Sequence, residues 1–219
     1  MKKQMGLTLV EITVVMVIVG LLLGGVLKIQ EIVTNAKIKN VEGSFDSLAK
    51  AIFVYQERYN ALPGDDKQAK DNFGFTLDGT AVNGNANGII DKNNNKDYCV
   101  KPTPRDQDDE TGKVWLHLRA AKLIAGSHLE DDDSAYFGPV NAFNGATRVD
   151  SRDSDFSVSV WICFTNIPSI PSDPSKDIAL LIDQRQDDGN VEEGRIQTEP
   201  YKDDKGNLVE NAVNLLFSL

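Results

Sequence analysis

The sequence predicts an α+β protein. A long N-terminal helix, membrane-spanning over its first half, leads into a head built on an antiparallel sheet towards the C-terminus. Three observations carry this. From Leu7 to Leu27 the only charged residue is Glu11. From Ile29 to Tyr59 apolar residues recur at steps of three and four, the spacing of one helix face. Beyond residue 155 apolar and polar residues alternate, the spacing of a half-buried strand.

The first stretch holds 21 residues, which as a helix span about 30 Å, the thickness of a bilayer's hydrocarbon core. Lys2 and Lys3 precede it without an acid, so the positive-inside rule places the N-terminus in the cytoplasm and the remainder outside. Gly20, Gly24 and Gly25 lie within the span. They suit close helix packing in a membrane, or a stretch able to unwind.

The helix is expected to continue to about Tyr59, with Ile29, Ile32, Val33, Ala36, Val41, Phe45, Leu48, Ile52, Phe53 and Tyr59 on its apolar stripe. Leu62-Pro63-Gly64 ends it. Residues 60–110 are dense in Asn, Asp and Gly and read as an irregular polar region. A second helix is expected over Thr111–Ala125, capped by Thr111 and closed by Gly126, with Val114, Trp115, Leu118, Ala121 and Ile124 inward. Strands are expected at Phe156–Phe164, Ile178–Ile182, Gly194–Thr198 and Val213–Phe217, joined by short loops such as Asp187-Asp188-Gly189-Asn190. The sheet is expected to pack on the outer half of the long helix.

Net charge is −10. Lys2, Lys3 and Lys28 outweigh Glu11 in the first 30 residues, which leaves −12 on the rest. An acidic body lacks the clustered Lys and Arg that nucleic-acid backbones require, so no nucleic-acid partner is expected. The two cysteines, Cys99 and Cys163, both fall in that body. An oxidising compartment makes a disulfide between them the leading expectation, with two buried thiols as the alternative.

The stretch Gly6-Leu7-Thr8-Leu9-Val10-Glu11, with the basic leader before it and the apolar helix after it, resembles the N-terminal signature of type IV pilins and pseudopilins. Leu7 stands where the family usually has Phe. Looser likenesses follow at Tyr59-Asn60-Ala61-Leu62-Pro63-Gly64-Asp65, at Trp115-Leu116-His117-Leu118-Arg119-Ala120-Ala121 and at Ile182-Asp183-Gln184-Arg185-Gln186-Asp187-Asp188-Gly189. The resemblance implies a pilin-like fold divided into a leader (1–6), a transmembrane and assembly helix (7–27), its amphipathic continuation (28–60) and an extracytoplasmic head (61–219). It implies cleavage by prepilin peptidase between Gly6 and Leu7, N-methylation of Leu7, and pairing of Glu11 with the N-terminus of a neighbouring subunit. The partners implied are other pilin or pseudopilin subunits, the peptidase, inner-membrane assembly machinery and, before assembly, membrane lipid. The subunit would sit in the inner membrane by one span and then enter a pilus or a periplasmic pseudopilus.

The function expected is therefore structural: a minor subunit of a type IV pilus or related filament. A type II secretion pseudopilin carries the same signature. The alternative from another class is an uncleaved membrane-anchored binding protein or enzyme. For a plain anchor or secretory signal, a Glu near the start of so long an apolar run fits poorly.

No catalytic residue is expected. His117 and His128 are the only histidines, and no nucleophile elbow, phosphate-binding Gly loop or zinc spacing occurs. Two oxygen-rich segments are calcium candidates. Asp91-x-Asn93-x-Asn95-x-Asp97 has alternate-ligand spacing but lacks the sixth-position Gly and the twelfth-position Glu of a calcium loop. Shifted upstream, Asn83-x-Asn85-x-Asn87-Gly88 has the Gly and no first-position carboxylate. The other segment is Asp183 with Asp187 and Asp188, expected in a strand-to-strand turn. Ordinary Asn and Asp turn chemistry, with no cofactor, is the alternative at each.

Overall fold

The computed structural model describes residues 8–77, 79–92, 99, 101–154, 157–170, 172, 177–203 and 206–219. It divides into two units, Met1–Lys39 and Asn40–Leu219. One helix, α1 (Leu9–Tyr59), contributes to both.

From Leu9 onward the first unit is helical. Thr8 starts it: its hydroxyl accepts the Glu11 N–H at 3.3 Å, the bond an N-cap makes to the third helical residue. The apolar side chains that follow point outward, with Leu9 80 % and Leu21 73 % exposed. An 18-residue window here has a mean hydropathy of 2.5 and no buried residue. The helix is long and apolar enough to cross a membrane as a single span.

In the second unit the same helix shows a different surface. Val41, Leu48, Ala51, Ile52 and Tyr55 are buried, and Phe45 stacks on Phe217 at 4.6 Å between ring centroids. The steps 41, 45, 48, 52 and 55 follow one helix face. Phe53, expected on this stripe, is 53 % exposed, and Ile29, Ile32 and Val33 of the first unit are exposed as well. Phe53 is one residue, about 100° of rotation, away from Ile52. The helix stops at Asn60, which takes the left-handed conformation at φ 51°.

Two short helices, α2 (Ala69–Phe73) and α3 (Gly79–Val82), lie in the segment read as irregular. Helix α4 runs over Glu110–Ala120, shorter than expected, and its N-cap is Asp109, whose carboxylate accepts the Thr111 N–H. Asp109 outcompetes Thr111 because it takes both the backbone N–H and the Thr111 hydroxyl proton, at 3.1 and 2.6 Å. At the other end Lys122 makes the left-handed turn that closes the helix, at φ 59°, and Gly126, also at positive φ (130°), comes four residues later. A 3₁₀ turn follows at Asp133–Tyr136.

The sheet has four antiparallel strands in the order β1 (Thr147–Ser154), β2 (Ser157–Pro168), β4 (Leu208–Ser218), β3 (Ile196–Lys202). Val149, Ile162, Phe164, Ile196, Leu215 and Phe217 are buried, and the register sets them on one face. That is the face on which Phe45 of α1 stacks. Trp161, Cys163 and Leu216 point the other way and are buried too, in a cluster with Cys99. The central strands are therefore covered on both faces.

Ile178–Ile182, expected as a strand, belongs to helix α5 (Ile178–Gln186). Asp177 caps it by accepting the Leu180 N–H at 3.0 Å, and Ile178, Ala179 and Ile182 bury one side. This helix connects β2 to β3, so those strands are not neighbours in the sheet. Strand β1 was not foreseen. Its sequence, Thr-Arg-Val-Asp-Ser-Arg-Asp-Ser, carries one aliphatic residue, and pairing with β2 rather than side-chain character makes it a strand.

Candidate functional site

Gly6 and Leu7, the expected processing residues, lie outside the described residues. Glu11 lies in the first turn of α1, exposed like its apolar neighbours. A carboxylate there faces the positive end of the helix dipole. It is the one charge on the outward-facing apolar surface from Leu9 to Val26.

Cys99 and Cys163 form a disulfide with Cα atoms 5.8 Å apart. It ties the Cys99 segment to the middle of β2. The Asp150 carboxylate of β1 accepts the Cys99 N–H at 2.6 Å, and the Arg148 guanidinium donates to the Cys99 carbonyl. This clasp explains why Trp161 and Cys163 are buried on the sheet face expected to be open.

Of the first calcium segment, Asn93, Asn95 and Asp97 lie outside the described residues. Asp91 is half-buried, and its backbone carbonyl accepts the Glu110 N–H at 2.9 Å. Burial, then the charges of Asp65, Asp109 and Asp108, push its carboxyl above the usual range. The upstream Asn series serves turns instead. Asn85 Oδ1 accepts the Asn87 N–H and Asn87 Oδ1 accepts the Ile89 N–H, both at 2.8 Å. Asn83 Oδ1 accepts the Lys70 N–H at 2.7 Å. Asp65 holds the same loop through the N–H groups of Asn87 and Gly88.

The second segment comes together. Asp183 stands in the last turn of α5, and Asp187 is that helix's C-cap, its N–H bonded to the Asp183 carbonyl at 2.7 Å. The setting is a helix end running into a loop, not the strand-to-strand turn expected. Four-residue spacing stacks Asp183 and Asp187 on one side, and Asp188 joins them: one oxygen of each lies within 4.8 Å of the others. Asp187 Oδ2 accepts the N–H groups of Arg195 and Ile196 at 2.6 and 3.0 Å. Gly194, at φ +82°, allows this approach, since a Cβ there would sit 2.3 Å from that oxygen. Asp188 Oδ1 accepts the Asn190 N–H at 2.8 Å. Asp183 is fully buried, and neither carboxylate oxygen has a hydrogen-bond partner. Burial first, then Asp187 and Asp188, push its carboxyl up to about 6.

Helix α4 buries three titratable groups, Glu110, Lys113 and His117. His117 is fully buried. Its Nδ1 accepts the Gly64 N–H at 2.9 Å and its Nε2 faces the Val82 carbonyl at 2.7 Å. A carbonyl only accepts, so Nε2 carries the proton and the ring is neutral. Burial holds its pKa down at about 4. The ring thus latches the exit of α1 and the end of α3 onto α4, with Tyr55 stacked 6.0 Å away. Glu110 Oε1 accepts the Asn85 N–H at 2.7 Å, while Oε2 is buried without a partner. Burial, aided by Asp65 and Asp91, raises its pKa to about 7. The sequence marks His117 only as one of two histidines, in a chain without a zinc spacing. Its true partners are 53 and 35 residues away, and no local pattern points to them.

Comparison with models of known protein families, with curated proteins and with solved structures finds no match in any of the three.

Proposed function

We propose that this chain is a minor structural subunit of a type IV pilus or a related filament such as a secretion pseudopilus. In this reading prepilin peptidase cuts between Gly6 and Leu7, Leu7 is N-methylated, and α1 anchors the subunit in the inner membrane before packing into a filament core. The observation that carries the reading is the outward-facing apolar surface from Leu9 to Val26, whose one charge is Glu11 in the first turn. A helix apolar all round requires lipid or protein around it. A lone carboxylate on such a surface is costly, by up to roughly 2.5–3.5 kcal/mol at the middle of a span, which makes it a functional candidate by default. The free amine of a neighbouring subunit supplies its partner. That pair sets axial register more than it adds stability, because desolvation offsets the Coulomb gain. The head then supplies the filament's acidic outer surface.

Glu11→Val separates anchoring from assembly. The variant is expected to be cleaved and inserted as the wild type is, and to enter filaments at least about tenfold less well, the equivalent of about 1.4 kcal/mol. Quantitative immunoblotting of sheared filaments against membranes measures this. Wild-type incorporation of the variant would remove Glu11 from the assembly step.

A further inference from the structure

The carboxylates of Asp183, Asp187 and Asp188 form a site of a different kind from the apolar helix, and the inference from it does not depend on the filament reading. Three acids on a surface need no ligand, and most are simply hydrated. This group differs in one member. Asp183 is fully buried, and both of its oxygens lack a hydrogen-bond donor. The Gly189 N–H is near enough to favour the ionised form weakly, but it falls short of hydrogen-bond geometry on either oxygen. No Lys or Arg among the described residues forms an ion pair with any of the three acids. Two further negative charges stand within 4.8 Å instead. A buried carboxylate without a donor or counter-charge is costly, and in this place its neighbours add to the cost.

We propose that Asp183, Asp187 and Asp188 bind a divalent cation, with calcium as the ion the site fits. The donors are all carboxylate oxygens, which favour hard cations over the thiolate- and imidazole-loving metals. Calcium–oxygen distances are about 2.3–2.6 Å, so two ligands of one calcium lie at most about 4.6–5.2 Å apart. The observed oxygens fall inside that limit, at 4.8 Å or less. Magnesium, at about 2.0–2.1 Å, demands a tighter and more regular octahedron. The loop is preset for the ion. Asp187 is held by two backbone N–H groups from the start of β3, Asp188 by its own turn, and Asp183 by the helix. Backbone carbonyls and water complete the shell, as they do in calcium loops generally. The bound ion fastens the end of α5 to the approach to β3, an edge strand of the sheet.

The test uses the full-length chain in detergent micelles, stripped of metal and titrated with CaCl₂ and, separately, MgCl₂. Heat release and the thermal midpoint of head unfolding are followed. Calcium at about 100 times its Kd is expected to raise the midpoint by about 5–10 °C, with a Kd at or below about 1 mM. Asp183→Asn is expected to abolish that shift, and in the absence of calcium to unfold no lower than the wild type, because the unpaired charge is gone. A merely structural Asp183 would lower the metal-free midpoint. Asp188→Asn changes an exposed side chain, so folding is not at issue, and it is expected to weaken calcium at least about tenfold. The proposal is overturned if the wild type gives no heat and no shift up to about 10 mM calcium. It is overturned equally if Asp188→Asn binds as the wild type does, or if magnesium shifts the midpoint as much as calcium.

Discussion

Helix α1 carries two stretches of one secondary structure with opposite surfaces. From Leu9 to Val26 it is apolar all round and exposed, while from Val41 to Tyr55 it is striped, and its apolar face is buried. Helix formation is common to both stretches, so it cannot account for the difference. What differs is the environment each surface requires. The striped stretch carries its own water-facing side, and one sheet suffices to cover the other. The uniform stretch has no side to give to water. The head answers with the inverse arrangement. Helix α4 buries Glu110, Lys113 and His117 beside Val114, Trp115 and Leu118; one Glu110 oxygen has no partner there, while Lys113 and His117 have backbone partners.

The largest expected effect tests that last point. His117→Ala strands the Gly64 N–H and the Val82 carbonyl and leaves a cavity, and is expected to destabilise the head by about 3–5 kcal/mol at pH 8. The imidazole also gives the stability a pH dependence. Its folded pKa, about 4, lies below the ordinary histidine value of 6.5. Its contribution is therefore complete above pH 6.5 and is lost as pH falls to about 4. Denaturant unfolding of wild type and variant at pH 8 and pH 5 should show a gap that narrows on acidification. A gap that is constant with pH would deny the neutral latch.

The two stretches of α1 can be set against each other directly. Ile52→Ala is expected to destabilise head unfolding by about 2–5 kcal/mol, as truncation of a buried aliphatic does. Leu22→Ala is expected to leave head unfolding unchanged within about 0.5 kcal/mol. Equal effects of the two substitutions would break the comparison.

Glu110 gives an effect that is read only through its pH dependence. Its folded pKa is raised to about 7 from 4.5, so burial of the carboxyl costs nothing below pH 4.5 and its full penalty above about pH 7. Relative to the wild type, Glu110→Gln should be more stable at pH 8 than at pH 5. This slope is opposite in sign to that of His117. A difference independent of pH would show that Glu110 does not titrate as a buried acid.

Legibility in the sequence followed the range of the interactions. The long helix and β2 announce themselves through period alone, and the α+β layout follows from them. The Cys99–Cys163 pair is legible by elimination, being the two cysteines present. Asp183, Asp187 and Asp188 are close in sequence and could be grouped by eye, though their setting at a helix end was read as a turn between strands. Ile178–Ile182 is too short for period to decide, and the overlooked signal was Asp177 just before it, a helix cap. Strand β1 is polar and exists because β2 pairs with it. Phe53 is apolar like Ile52 but about 100° away about the helix axis, so it faces outward. His117 depends on two distant backbone groups, which only the folded chain brings to one ring.

The claim that matters most concerns the start of the chain, and mass spectrometry addresses it directly. Intact mass and N-terminal peptide mapping would be done on chain recovered from sheared surface filaments and from membranes. The proposed function predicts a chain of 213 residues that begins at N-methylated Leu7, with Glu11 then fifth from the new terminus. Recovery from the sheared fraction indicates a pilus subunit, and recovery only from membranes a pseudopilin or a scarce minor subunit. A chain that keeps Met1 to Gly6 in cells with an active prepilin peptidase would contradict the filament reading and leave an uncleaved membrane anchor.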